Sequence, residues 1–180
     1  MMLRISVVFG MLALLGCSGC RRENHLPVDL DEQPVLAFDS TRIQIANGVD
    51  TTTLRVLLAA SEDQHTLGLM ERSHLAPDAG MLFTYSAEQP ATAGFWMFRT
   101  RIPLDIAFLD RDGRIVATRS MEPCQSPEPR WCPSYEPGVA YWAALEVNRG
   151  YFQQHVLKVG DRVLIPPQGR PKDSPSTPGA

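Results

Sequence analysis

The chain has 180 residues, 44% of them hydrophobic and 21% charged, with a formal net charge of −3, which suits one ordinary domain with a sizeable core. The modest negative balance, without any block of Lys or Arg, argues against nucleic acid as a partner. Neither a Gly-rich phosphate loop nor a G-x-S-x-G elbow is present.

The first residues, MMLRISVVFGMLALLGC, place a short charged segment before an apolar run from Ile5 to Leu15. A spanning helix needs about 20 apolar residues, so residues 1–16 are predicted to be an export signal that is removed. Leu14-Leu15-Gly16-Cys17 resembles the bacterial lipobox. The resemblance implies a lipid on Cys17 that anchors the chain to the membrane, with Cys20 as a second candidate. Ser18 rather than Asp follows the lipidated Cys, which implies the periplasmic side of the outer membrane. Loss of Arg4 with the signal moves the charge from −3 to −4 (−3 minus one positive charge). Residues 17–34 read as a flexible tether, 35–165 as the folded domain, and 166–180 (PPQGRPKDSPSTPGA) as a disordered tail.

Within the domain, Val35–Phe38, Ile43–Ile45 and Thr53–Ala59 are predicted strands, with an Asn47-Gly48 turn between the last two. Ser61 followed by Gln64 three residues on is a capping box that opens a short helix through His65, Leu67 and Met70. His65 and His74 read as surface or capping residues, since nine residues separate them and a metal pair on one helix face needs four. Pro77–Gly80 is a turn and Met81–Tyr85 the next strand. In FWMFRTRIPLDIAFLD, residues 95–110, both Phe95–Arg101 and Leu104–Leu109 alternate with period two, which predicts two strands broken at Pro103. Asp110–Gly113 is a hairpin turn and Arg114–Ser120 the return strand.

Export to an oxidising compartment predicts a disulfide between Cys124 and Cys132, which flank the Pro-rich loop EPCQSPEPRWCPSYEPG. The alternative of a two-thiolate metal site finds no nearby His to complete it. Ala140–Val147 reads as a strand, Asn148 as the cap of a short helix through Tyr151, Phe152 and His155, and Arg162–Ile165 as the last strand. Many short strands with two brief helices predict a mainly β domain, a single compact β-sandwich or partly open barrel.

Several of these segments are similar to stretches of the bacterial and archaeal family called domain of unknown function 192. The matching stretches are Thr66–Arg72, Gly80–Phe83, Phe95–Met97, Ile102–Phe108, Cys124–Tyr135, Leu145–Asn148 and Gly160–Val163. The resemblance implies a compact, mainly β domain, often exported, and brings no function with it. Where relatives are expected to carry Lys-Asn after Trp-Met, this chain has Phe98-Arg99.

The candidate ligand-binding set is Arg72, Trp96, Met97, Arg99, Asp105, Tyr135, Glu146 and Asn148, with Asp110 nearby. Acidic groups among aromatic walls with an Arg at hand suit a polar ligand, here an envelope glycan or peptide. The competing reading of each residue is structural, with Asp105 capping the turn at Pro103 or pairing with Arg99 or Arg101. An alternative function is hydrolysis of envelope glycans by an Asp/Glu pair. A third is soft-metal handling, with Met70, Met81, Met97, Met121 and Cys124 suited to Cu(I). No catalytic residue, metal ligand or cofactor is assigned.

Overall fold

A computed structural model describes residues 36–166 of the chain. The predicted export signal, Cys17, the predicted tether and the Pro-rich residues from 167 onwards lie outside the described residues. Seven strands and two short helices follow one another as β1 (Asp39–Ala46), β2 (Thr51–Ala59), α1 (Glu62–Leu67), β3 (Ala79–Gln89), β4 (Leu104–Leu109), β5 (Ile115–Met121), β6 (Tyr141–Asn148), α2 (Tyr151–Gln154) and β7 (Arg162–Leu164). They form one mixed sheet in the order β5-β4-β6-β3-β2-β1-β7, so the partly open barrel is the form adopted. The two edges meet at one end, where Arg114 bridges Arg162 and Ile115 N–H donates to Asp161 O at 2.9 Å.

The pattern of burial follows from the curl. One face gathers residues from all seven strands, among them Ile43, Leu54, Leu82, Leu109, Ile115, Leu145 and Val163, with Tyr151, Phe152 and Leu157 packed against them. The inside of a curled sheet requires such an arrangement. The other face carries Met81, Phe83, Leu104, Ile106, Phe108, Met121 and Ala144, and is covered by Leu69, Leu75 and Met97 from the long connections. β4 is buried at every position. It lies between β5 and β6 with a packed layer on each face, which explains why every residue but Asp105 is apolar.

β2 and β3 pair in parallel, joined by a crossover through α1. The capping box is formed: Gln64 N–H donates to Ser61 Oγ while the Gln64 side chain accepts from Ser61 N–H. Gly68, at φ 47°, ends the helix.

Four local expectations are corrected. Residues 36–38 are not strand, and β1 begins at Asp39. The stretch Phe95–Arg101 is not a strand but a covering loop. Thr100 N–H turns back onto Met97 O at 3.0 Å and Arg99 adopts a left-handed φ of 53°, which no ladder accommodates. Burial does not keep the period of two seen in the sequence: Met97 and Thr100, three residues apart, are buried, while Trp96, Arg99 and Arg101 are exposed. Asn148 does not cap α2: Gly150 holds that position with φ 83°, while Asn148 Nδ2 donates to the carbonyls of Leu75 and Ala76. His65 is not a surface residue. It is half-buried, with Nε2 reaching Ala59 O at 3.1 Å and Thr84 O at 3.2 Å.

Cys124 and Cys132 are joined across a sequence separation of eight. The bridge fixes the loop that receives Arg99 N–H on Cys124 O at 2.9 Å and returns Cys124 N–H to Met97 O at 3.1 Å. Replacing both cysteines by Ser is expected to cost about 2–3 kcal/mol, the closure entropy of a loop of this length. Denaturant unfolding of the double variant against the oxidised parent measures it.

Candidate functional site

Glu146 stands out because of its neighbours on the sheet. It lies on central strand β6, opposite Met81 of β3 and Ile106 of β4, on the face those two apolar side chains share. Close approach of β3 is possible because residue 80 is glycine: a Cβ there would meet Glu146 O at 2.6 Å. The side chain is therefore almost wholly buried, with 4% of the residue exposed, and no hydrogen bond or ion pair to its carboxyl occurs among the described residues. Burial pushes the carboxyl from 4.5 up to about 8.

The carboxyl lies at the foot of a cleft of about 300 Å³. One wall comes from α1 and the turn after it, with His65, Gly68, Leu69 and Met70; the other comes from the covering loop, with Phe95, Trp96, Phe98 and Thr100. Phe83 and Tyr85 of β3 complete it. The aromatic rings support one another. Phe83 meets Phe95 edge-on at 4.9 Å, Phe95 meets Phe108 at 5.8 Å, and the His65 ring lies 4.6 Å from that of Tyr85. Burial raises the Tyr85 phenol above its ordinary value, and hydrogen bonding to Tyr141 and the nearby Glu146 raise it further. Tyr141 in turn donates to Ala93 O at 2.9 Å. Trp96 is 42% exposed and forms part of the open rim.

One backbone bond and one side-chain ion pair link the two walls. Glu71 N–H donates to Arg99 O at 2.9 Å, joining two residues that are both left-handed, at φ 59° and 53°. The Glu71 carboxylate also pairs with the Arg101 guanidinium. That bridge is more than half exposed on both sides, so it positions the rim and contributes little stability.

The candidate residues separate into two groups. Trp96 and Glu146 share the cleft. Met97 is fully buried in the core, and Asn148 is occupied by the carbonyls described above. Arg72 and Arg99 are exposed, Arg99 resting 5.1 Å from the centre of the Phe98 ring. Tyr135 accepts from Glu122 N–H at 3.0 Å through its hydroxyl and exchanges backbone bonds with Phe95. Asp110 caps its hairpin, accepting from Asp112 N–H and Arg114 N–H. Asp105 faces the opposite side of the sheet from Glu146. It is buried and accepts from Ser120 Oγ at 2.6 Å and Gly150 N–H at 2.8 Å, rather than pairing with Arg99 or Arg101. Of the methionines weighed for Cu(I), Met81, Met97 and Met121 are buried in the core and the Cys124 sulfur is bonded to Cys132. No group of three or more His, Cys, Asp or Glu suited to a metal occurs among the described residues.

Tyr85, Phe83, Phe95, Phe98, Thr100 and His65 were not among the sequence candidates, and Met70 was weighed only as a Cu(I) ligand. The available signal was a lone acidic residue within the apolar run AALEV, residues 143–147, together with the stretches Thr66–Arg72, Gly80–Phe83 and Phe95–Met97. Each of these stretches places at least one residue on the cleft.

Residues 43–165 match the family model described as DUF192, uncharacterized ACR, COG1430. A crystal structure described as "a putative transcription regulator" from Sinorhizobium meliloti 1021 is similar to this fold. It has 29% identity and a TM-score of 0.64, over 71% of this chain and 95% of its own. A protein of unknown function from Novosphingobium aromaticivorans DSM 12444 has 28% identity and a TM-score of 0.64, over 74% of this chain and 90% of its own. No functionally curated protein matches the chain.

Proposed function

The chain belongs to the DUF192 family over residues 43–165, and from that premise we propose that its domain is a non-catalytic binding module of the cell envelope. Its site is the Glu146 cleft and its ligand a polar envelope glycan or peptide. A lipid on Cys17 tethers the domain to the membrane on the periplasmic side, a reading supported by the apolar run and lipobox-like residues at the start of the chain. One observation carries the functional reading: Glu146, 4% exposed and with no side-chain partner among the described residues, lines an aromatic cleft whose rim includes an exposed Trp. A buried polar group without a partner destabilises the fold, and a ligand that satisfies it recovers that free energy on binding.

Glycan hydrolysis would need a second carboxylate beside Glu146. Glu146 is the one carboxylate lining the cleft among the described residues, and Asp105 lies on the other face of the sheet. The regulator description of the Sinorhizobium protein is not carried over. The formal charge here is −3, and nucleic-acid binding draws on clustered positive charge.

A thermal-shift series with peptidoglycan fragments, acidic sugars and short peptides tests the proposal. A ligand that binds the native state alone stabilises it by ~2.7 kcal/mol at a hundredfold excess over its Kd. Trp96→Ala is expected to leave the unliganded midpoint within about 2 °C of the parent, because the ring is already 42% exposed. It should abolish the ligand-induced rise. A rise that survives in Trp96→Ala would place binding elsewhere.

A further inference from the structure

We propose that the ligand of this cleft presents a primary ammonium group on an alkyl stem, of the lysine side-chain type, which pairs with the Glu146 carboxylate at the foot. The inference rests on the cleft being a ligand site and names the chemistry it selects. Three observations carry it. Glu146 is buried, lines the cleft and has no side-chain partner among the described residues. No Lys or Arg lines the cleft among the described residues, so the carboxylate has no counter-ion of its own there. The walls above it are Phe83, Tyr85, Phe95, Trp96 and Phe98, faces that attract a cation and also accommodate a methylene stem.

Competing ligand chemistries fit less well. An anion would find no Lys or Arg among the described lining residues to pair with. A sugar ring could engage the polar side chains of the lining, Thr66, Tyr85, Trp96 and Thr100, but it would leave the Glu146 acid without a charged partner. The His65 Nε2–H is already directed at two backbone carbonyls. A volume of about 300 Å³ admits an extended side chain and its ammonium group.

The pairing carries a proton signature. Met81 and Ile106 lie opposite Glu146 on the flanking strands, and Tyr85 from β3 and His65 from α1 line the same cleft. None supplies a fixed positive charge comparable to an ammonium ion. In the free protein at neutral pH the carboxyl is protonated, so binding an ammonium ion expels that proton. Affinity therefore rises as the pH increases toward about 8, by roughly tenfold per unit, and levels off beyond it. The alkyl ammonium stays charged throughout that range.

The experiment is isothermal titration of the full chain in detergent at pH 6, 7 and 8. Its probes are Nα-acetyl-lysine N-methylamide, the same compound acetylated on its side-chain amine, and N-acetylglucosamine. The free-amine probe is expected to bind, with the pH slope described, and side-chain acetylation to weaken it by roughly tenfold or more. Glu146→Gln, which keeps the shape of the protonated acid, should lose both the affinity and the slope while keeping its circular dichroism spectrum. If the acetylated probe or the sugar binds as well as the amine, and does so through Trp96, the ammonium assignment falls while the cleft reading stands. Amine binding unchanged in Glu146→Gln also overturns the assignment. If no probe binds, and none of the envelope panel raises the midpoint, both readings fall.

Discussion

Stability of the parent chain is expected to fall as the pH is raised from about 4.5 to about 8, and Glu146→Gln is expected to lose that component of the fall. The carboxyl titrates near 4.5 when the chain is unfolded and near 8 when burial withholds it from water. Between those values the folded state keeps a proton that the unfolded state has released. Stability must therefore decrease with rising pH across that window, and this group adds no further slope above it. The integrated effect is on the order of 5 kcal/mol, from the separation of the two values at about 1.4 kcal/mol per unit. Urea unfolding of parent and variant at pH 5, 6.5 and 8 isolates the term, because the other carboxylates are common to both chains. The two should be nearly equal at pH 5, with the variant the more stable at pH 8. Parallel profiles would show that Glu146 is solvated, and would remove the reason for an unpartnered acid to seek a ligand.

That dependence on burial also explains what could be read from the sequence. Strand identity was legible wherever hydrophobic alternation met a real ladder, as in Thr53–Ala59 and Leu104–Leu109. The capping box at Ser61 was legible because its chemistry is local. Phe95–Arg101 alternates just as regularly in sequence and is a loop, because the turn of Thr100 N–H onto Met97 O buries residues three apart and breaks the alternation. Asn148 was a plausible cap by residue type. Its amide is instead taken by carbonyls more than 70 residues earlier in the chain, a contact that no local rule contains. The same limit applies to the site. Trp96 and Glu146 were identifiable by type, whereas Tyr85 and His65 reach the cleft only because β2 and β3 run parallel and bring α1 over the sheet. Arg99 and Asp105 were grouped with them on sequence proximity to Trp96, and the turn at Met97–Thr100 and the strand pleat separate them.

Asp105→Ala should be among the most destabilising single substitutions in the domain while leaving the Glu146 cleft able to bind. The carboxylate is 6% exposed and ties three elements together: β4, which carries it, β5 through Ser120 Oγ, and the entry to α2 through Gly150 N–H. Gly150 holds a left-handed φ of 83° and has no side chain with which to cap the helix, so the acceptor from β4 fixes that turn. Removing it leaves the Gly150 amide without its charge-assisted bond, worth about 1.5–3 kcal/mol, and leaves a void beside α2. Ser120 is exposed and can turn to water, which limits the total to about 3 kcal/mol. That corresponds to a fall in Tm of roughly 10 °C for a domain of this size. Asp105→Asn keeps one acceptor oxygen but presents an amide donor to the other partner, so about half the loss is expected. Hydrogen exchange should quicken first at Gly150 and along α2, whose Tyr151 and Phe152 rings pack against the barrel interior. Because Asp105 projects from the face opposite Glu146, ligand affinity measured well below the lowered midpoint should match that of the parent. Loss of affinity in the folded variant would mean that the two faces of β4 communicate, and that the cleft depends on how α2 is seated.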